Sequence, residues 1–113
     1  MKLDDARKFA LSLPSATEEP HFNFSSFRVR GKIFATVPPD GKHMHIFVDE
    51  PQRELLTAAQ PKAYEKLWWG KSVVGLRVVL RAARKRDVED LLQAAWLRRA
   101  PKTVARKLTD PAA

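Results

Sequence analysis

Between Phe22 and Val48 the chain alternates apolar and polar residues with a period of two, and this stretch constrains the fold more than any other. Such a period sends successive side chains to opposite faces of a strand. Phe27 and Val29 alternate with Arg28 and Arg30. Gly31 interrupts, and Ile33, Ala35 and Val37 then alternate with Lys32, Phe34 and Thr36. The break predicts a hairpin turning near Arg30-Gly31-Lys32. Pro38-Pro39-Asp40-Gly41 is a second turn signal, since neither proline can donate to a strand ladder. Met44, Ile46 and Val48 alternate with His43, His45 and Phe47 in a third strand. Connections this short join antiparallel neighbours, so a meander is expected.

Helical spacing flanks this segment. Leu3, Ala6, Phe9, Ala10 and Leu13 form one apolar stripe, and Pro14 ends the helix that carries it. Asp49-Glu50-Pro51 has the form of a capped helix start, Leu55, Leu56 and Ala59 its buried side, and Pro61 its stop. Lys62 to Trp69 is predicted as a strand. Adjacent Trp68 and Trp69 would then face opposite ways, one in the core and one exposed. Val73 to Leu80 is rich in β-branched residues and nearly continuous in apolar character, which predicts a central strand. Val88, Leu91, Leu92, Ala95 and Trp96 give a helix from about Lys85 to Arg99, with acids early and Arg98 and Arg99 late, as the macrodipole favours. The tail from Lys102 to Ala113 is expected to be loosely held, its last residues, 109–113, lying beyond the domain.

The predicted order is helix, three strands, helix, two strands, helix. It indicates an α+β fold, an antiparallel sheet with helices packed on one face. A chain of 113 residues suits one domain, spanning 1–108. With no cysteine there are no disulfides, thiolate metal sites or cysteine nucleophiles. The charged start Met1-Lys2-Leu3-Asp4-Asp5 does not read as a secretory signal, and no apolar run could span a bilayer, so a cytoplasmic location away from membranes is expected.

Leu11-Ser12-Leu13-Pro14, Glu18-Glu19-Pro20-His21-Phe22, the run Phe27 to Ala35, Trp69-Gly70, Val78-Val79-Leu80 and Ala100-Pro101-Lys102 together resemble the MmcQ/YjbR family. The resemblance covers roughly residues 3–108, and its most telling part is Gly31-Lys32-Ile33-Phe34-Ala35 after a Leu-Pro helix end. It implies a secretion-chaperone-like α-β-β-β-α-β-β-α fold and a predicted DNA-binding protein with a "double wing". It implies no catalytic residue. This chain departs from the family pattern at Ala95-Trp96, where a Ser-Tyr pair is usual.

The net charge is +8, from 21 Lys and Arg against 13 Asp and Glu, and an excess of this size draws polyanions. Arg28, Arg30 and Lys32 on a hairpin, Lys42 beside a glycine turn, and the run Arg84-Lys85-Arg86 where a strand passes to a helix are the candidate phosphate contacts. Each is weighed against an ordinary solvated face. Arg98, Arg99, Lys102, Arg106 and Lys107 form a further cationic group.

His43 and His45 share one strand face, and with His21 or Asp49 could ligate a metal, but no spacing fixes a third ligand and no metal or cofactor is expected. The serines lack a Gly-x-Ser-x-Gly elbow and no phosphate-binding glycine loop is present, so no enzyme is expected. The leading expectation is a DNA-binding protein acting on duplex DNA through phosphate contacts. The alternatives are a protein-interaction or chaperone-like module, with an exposed tryptophan as its surface, and a small-molecule binder with a deep polar pocket.

Overall fold

A computed structural model describes residues 1–109. Helix α1 (Leu3–Ser12) is followed by four strands, β1 (Ala16–His21), β2 (Phe24–Val29), β3 (Lys32–Val37) and β4 (His43–Ile46). Helix α2 (Glu50–Ala59), strands β5 (Tyr64–Trp69) and β6 (Ser72–Val79), a short 3-10 turn, and helices α3 (Lys85–Arg99) and α4 (Lys102–Thr109) complete the described chain. The strands form one six-stranded sheet in the order β1-β2-β3-β4-β6-β5. Every neighbouring pair is antiparallel. The α+β class and the helix-covered antiparallel sheet are as expected.

Strand parity explains which side is covered. Phe27, Ala35, Met44, Ile46, Leu76, Val78 and Tyr64 are buried on one face of the sheet. Helix α3 lies across β2, β3 and β4 on that face, with α1 beside it and α2 against β5 and β6. Val88, Leu91, Leu92, Ala95 and Trp96 are the buried stripe of α3, at the spacing read from the sequence. The β2–β3 turn has Arg30 and Gly31 both at positive φ, 51° and 80°. Two such residues match the right-handed twist of the strands they join. In β3 a bulge beside Phe27 and Arg28 turns both Phe34 and Ala35 into the core.

Besides the expected buried side of α2, where Leu55 and Ala59 are exposed, Leu55 at 68%, and only Leu56 is partly covered, three expectations need correction. First, the stretch Ala16–His21 is an additional strand, paired with β2 along its whole length. It is an edge strand that carries Pro20, and its inward Glu18 is not bare: Arg7 Nε donates to both carboxylate oxygens at 3.0 and 3.1 Å, and Ser25 Oγ donates at 2.6 Å. Second, Lys102–Thr109 is not a loose tail but helix α4, anchored by the buried Val104; residues 110–113 lie outside the described residues. Third, neither Trp68 nor Trp69 enters the core; they are 57% and 63% exposed. A bulge between Leu67 and Trp68 breaks the alternation that would have buried one of them. Leu67, one step earlier, is the buried residue.

Candidate nucleic-acid interface

A meander reverses direction at each turn, so consecutive turns lie at opposite ends of the sheet. This fixes where the cationic side chains go. The β3–β4 turn, with Lys42, lies beside the end of β6, where Leu80 N donates to Lys42 O at 3.2 Å. Arg81, Arg84, Lys85 and Arg86 follow directly, so these four and Lys42 gather at one end of the molecule. A small cavity of about 390 Å³ between Lys42 and Arg81 marks the junction. All five side chains are exposed, and none forms an ion pair among the described residues.

Arg30 and Lys32 occupy the opposite end of the sheet. Lys32 lines a groove there together with Arg98 and Arg99 at the C-terminus of α3. The seven candidate cations therefore do not make one strip. Arg28 belongs to neither end. It lies on the helix-free sheet face, where its Nε donates to Ser26 Oγ at 2.9 Å and sits 4.0 Å from Glu19. Its charge is already matched.

The rest of the helix-free face is also charge-balanced. Arg77 reaches Asp40 at 3.8 Å and Glu65 at 3.6 Å, and its guanidinium faces His45 Nε2 at 3.3 Å and His43 Nδ1 at 3.4 Å. His43 Nδ1 lies 2.7 Å from Asp40 Oδ2, whose partner oxygen accepts from Lys42 N at 2.8 Å. That backbone hydrogen bond, with His43 beside it, holds the Asp40 carboxyl below its usual range. Burial pushes His45 down to about 4, helped by the positive Arg77. The two imidazoles do share a face, as expected. A guanidinium sits where both rings converge, and among the described residues no three His, Asp or Glu side chains group as metal ligands.

Beside this polar network runs an aromatic groove of about 1140 Å³. Its lining includes Phe24, Ile33, Thr36, Phe47 and Trp69, with Phe22 and Asn23 at one lip and Lys32, Asp49, Arg98 and Arg99 at another. The rings of Phe47 and Trp69 meet edge to face at 5.6 Å. Phe24 tilts against His45 at 5.9 Å. Arg98 Nη1 donates to Phe47 O at 3.4 Å, which ties the end of α3 to the groove. Sequence reasoning did not find this groove. Phe22, Phe47 and Arg98 lie on separate elements, and only the folded sheet brings them together. The signal available was the run of aromatics at Phe22, Phe24 and Phe47 on the polar parity of their strands.

The Ala95-Trp96 departure is structural. Trp96 is fully buried in the α3 stripe, so its ring is not part of the exposed cationic surface.

A family model described as YjbR matches residues 11–98. The chain belongs to the YjbR family. A solved structure with the same fold is Deinococcus radiodurans protein DR2400, a DUF419 domain. It shares 20% identity and a TM-score of 0.77, with 97% of this chain and 89% of that one covered. No curated protein matches. Among the described residues no helix is long and apolar enough to cross a membrane.

Proposed function

We propose that this YjbR-family protein binds nucleic acid, duplex DNA in the first instance, through cationic contacts to phosphates and without chemistry on the ligand. The observation that supports it is the group formed by Lys42, Arg81, Arg84, Lys85 and Arg86, exposed and without ion-pair partners at one end of the sheet. Cations gathered at one end without ion-pair partners gain by meeting a polyanion. Arg28 and Arg77, which have carboxylate neighbours, offer no such gain.

Titration against duplex DNA at several salt concentrations tests this. The logarithm of affinity should fall linearly with the logarithm of salt, by roughly 0.9 for each phosphate neutralised. Reversing Arg84, Lys85 and Arg86 together to Glu should flatten that slope and abolish most binding. No binding by the native chain at about 50 mM salt would exclude the proposal.

A second reading, a protein-interaction module, has one observation in its favour: Trp68 and Trp69 are exposed side by side at the sheet edge. Exposed indoles of this kind often anchor protein partners. Nucleic acid is preferred because Trp69 shares its groove with Lys32, Arg98 and Arg99.

A further inference from the structure

We infer that the aromatic groove on the helix-free face seats a single-stranded stretch of nucleic acid. Its bases would stack on Trp69 and Phe22, and its phosphates would meet Lys32, Arg98 and Arg99. This rests on the nucleic-acid reading above and adds to it a second site, with a different class of strand, that runs from the β1–β2 turn at Phe22 to Lys32, Arg98 and Arg99.

Four observations carry it. Phe22 is 93% exposed, and its backbone sits at φ 57°. A bulky residue is strained in that left-handed region, and a phenyl ring gains nothing from open water. Both costs make sense where the ring is a platform for another ring. Trp69 is the second platform. Its contact with Phe47 is edge to face, and the indole remains 63% exposed. Base–aromatic stacking of this kind tolerates any sequence, because every base has a π-face.

The third observation is charge. Lys32, Arg98 and Arg99 border the groove, and none has an ion-pair partner among the described residues. Arg98 is held in place by its bond to Phe47 O, so a cation is fixed next to the ring pair. Asp49 and Glu50 lie on the same rim; the Asp49 carboxylate is turned to the start of α2, where it accepts from Gln52 N at 3.3 Å, which leaves three cations against the carboxylate of Glu50. A groove that offers both cations and rings suits a ligand that carries both charges and rings, which is a nucleotide chain. An acidic peptide would match the cations and leave the rings unused.

The fourth is size. The groove holds about 1140 Å³, beyond the range of roughly 300–1,000 Å³ common for single small ligands. A duplex cannot use it, because stacked and paired bases hide their faces from Trp69.

The experiment measures anisotropy of a fluorescein-labelled oligothymidylate of roughly 12 nucleotides and of a duplex of equal length, against the full chain at low salt. Native protein, Trp69→Ala, Arg99→Glu and the Arg84/Lys85/Arg86→Glu triple variant are compared, with thermal melts confirming that each is folded. Expected is tryptophan quenching on adding the single strand to native protein, and a loss of roughly tenfold or more in single-strand affinity for Trp69→Ala with duplex affinity unchanged. Arg99→Glu should behave likewise, and the triple variant should lose the duplex first. Single-strand affinity unchanged in both Trp69→Ala and Arg99→Glu, while the native chain still binds duplex, would overturn the groove site and leave the proposed function standing. Failure of the native chain to bind either probe would overturn both.

Discussion

The indole N–H of Trp96 donates to the carbonyl oxygen of Pro14 at 2.9 Å, joining the last turn of α3 to the residue that ends α1. Trp96 is fully buried. It therefore fills the core and also satisfies a backbone acceptor at a helix end. Trp96→Phe should keep most of the volume and lose the bond, at a cost of about 1–3 kcal/mol. Trp96→Ala should cost about 3–5 kcal/mol by leaving a cavity. Denaturant unfolding checks both, and a Phe variant as stable as the native chain would show that the bond contributes nothing.

Gly75 lies where β6 passes the end of β4. A Cβ there would sit 2.3 Å from Ile46 O and 3.0 Å from Phe47 Cα. Both are backbone atoms and cannot swing aside. Gly75→Ala is expected to lower stability by about 1–3 kcal/mol, as overpacking does. It should also displace Phe47 and thus the groove, visible as changed Trp69 fluorescence. Gly31→Ala meets no such obstacle, with no atom within 4 Å of the added carbon, and is strained only by its positive φ of 80°.

His45 gives the fold a defined response to acid. Burial, aided by Arg77 and His43, lowers its pKa from 6.5 to about 4, so the folded state holds the neutral ring. Between those values the unfolded chain binds a proton that the folded chain refuses. Stability is thus full above about 6.5 and falls as pH drops towards 4, by on the order of 1–3 kcal/mol. His45→Gln should flatten the stability profile across that window when melting is followed against pH. An unchanged slope would mean that the acid response comes from elsewhere.

Asp49 caps α2, accepting from Gln52 N at 3.3 Å, with Pro51 in the first turn. Asp49→Ala should cost about 0.5–2 kcal/mol, and Asp49→Ser much less, since a hydroxyl can take the same N–H. Helix α2 has no fully buried residue, so the cap is a large part of what starts it. Hydrogen exchange at Gln52 and Arg53 would report the loss directly.

Where side chains alternate or repeat strongly, the sequence was readable. The stripe of α3, the β2–β3 turn at Arg30-Gly31 and the proline-marked start of α2 all stand where their patterns put them. What escaped did so for identifiable reasons. Ala16–His21 has no apolar alternation, because its inward side chain at Glu18 is satisfied by Arg7 and Ser25 rather than by burial in oil. Helix α4 carries only Val104, Ala105 and Leu108 as apolar residues, and this single short turn of apolar spacing after Pro101 reads as part of a tail. Trp68 and Trp69 obey a bulge that no local pattern signals. The division of the cations was latent in the meander itself, since Arg30 and Lys42 flank opposite ends of one strand, β3.

Pro20 sits on the outermost strand at the β1 side, opposite Ser25. A chain aligning along that border would find a position with no hydrogen to share, so the sheet resists growing in that direction. The far border, β5, sets Glu65 and Lys66 in the path of an incoming strand before it reaches the tryptophans. Backbone-to-backbone extension is discouraged on both flanks, and whatever associates with this molecule is directed to its side chains instead.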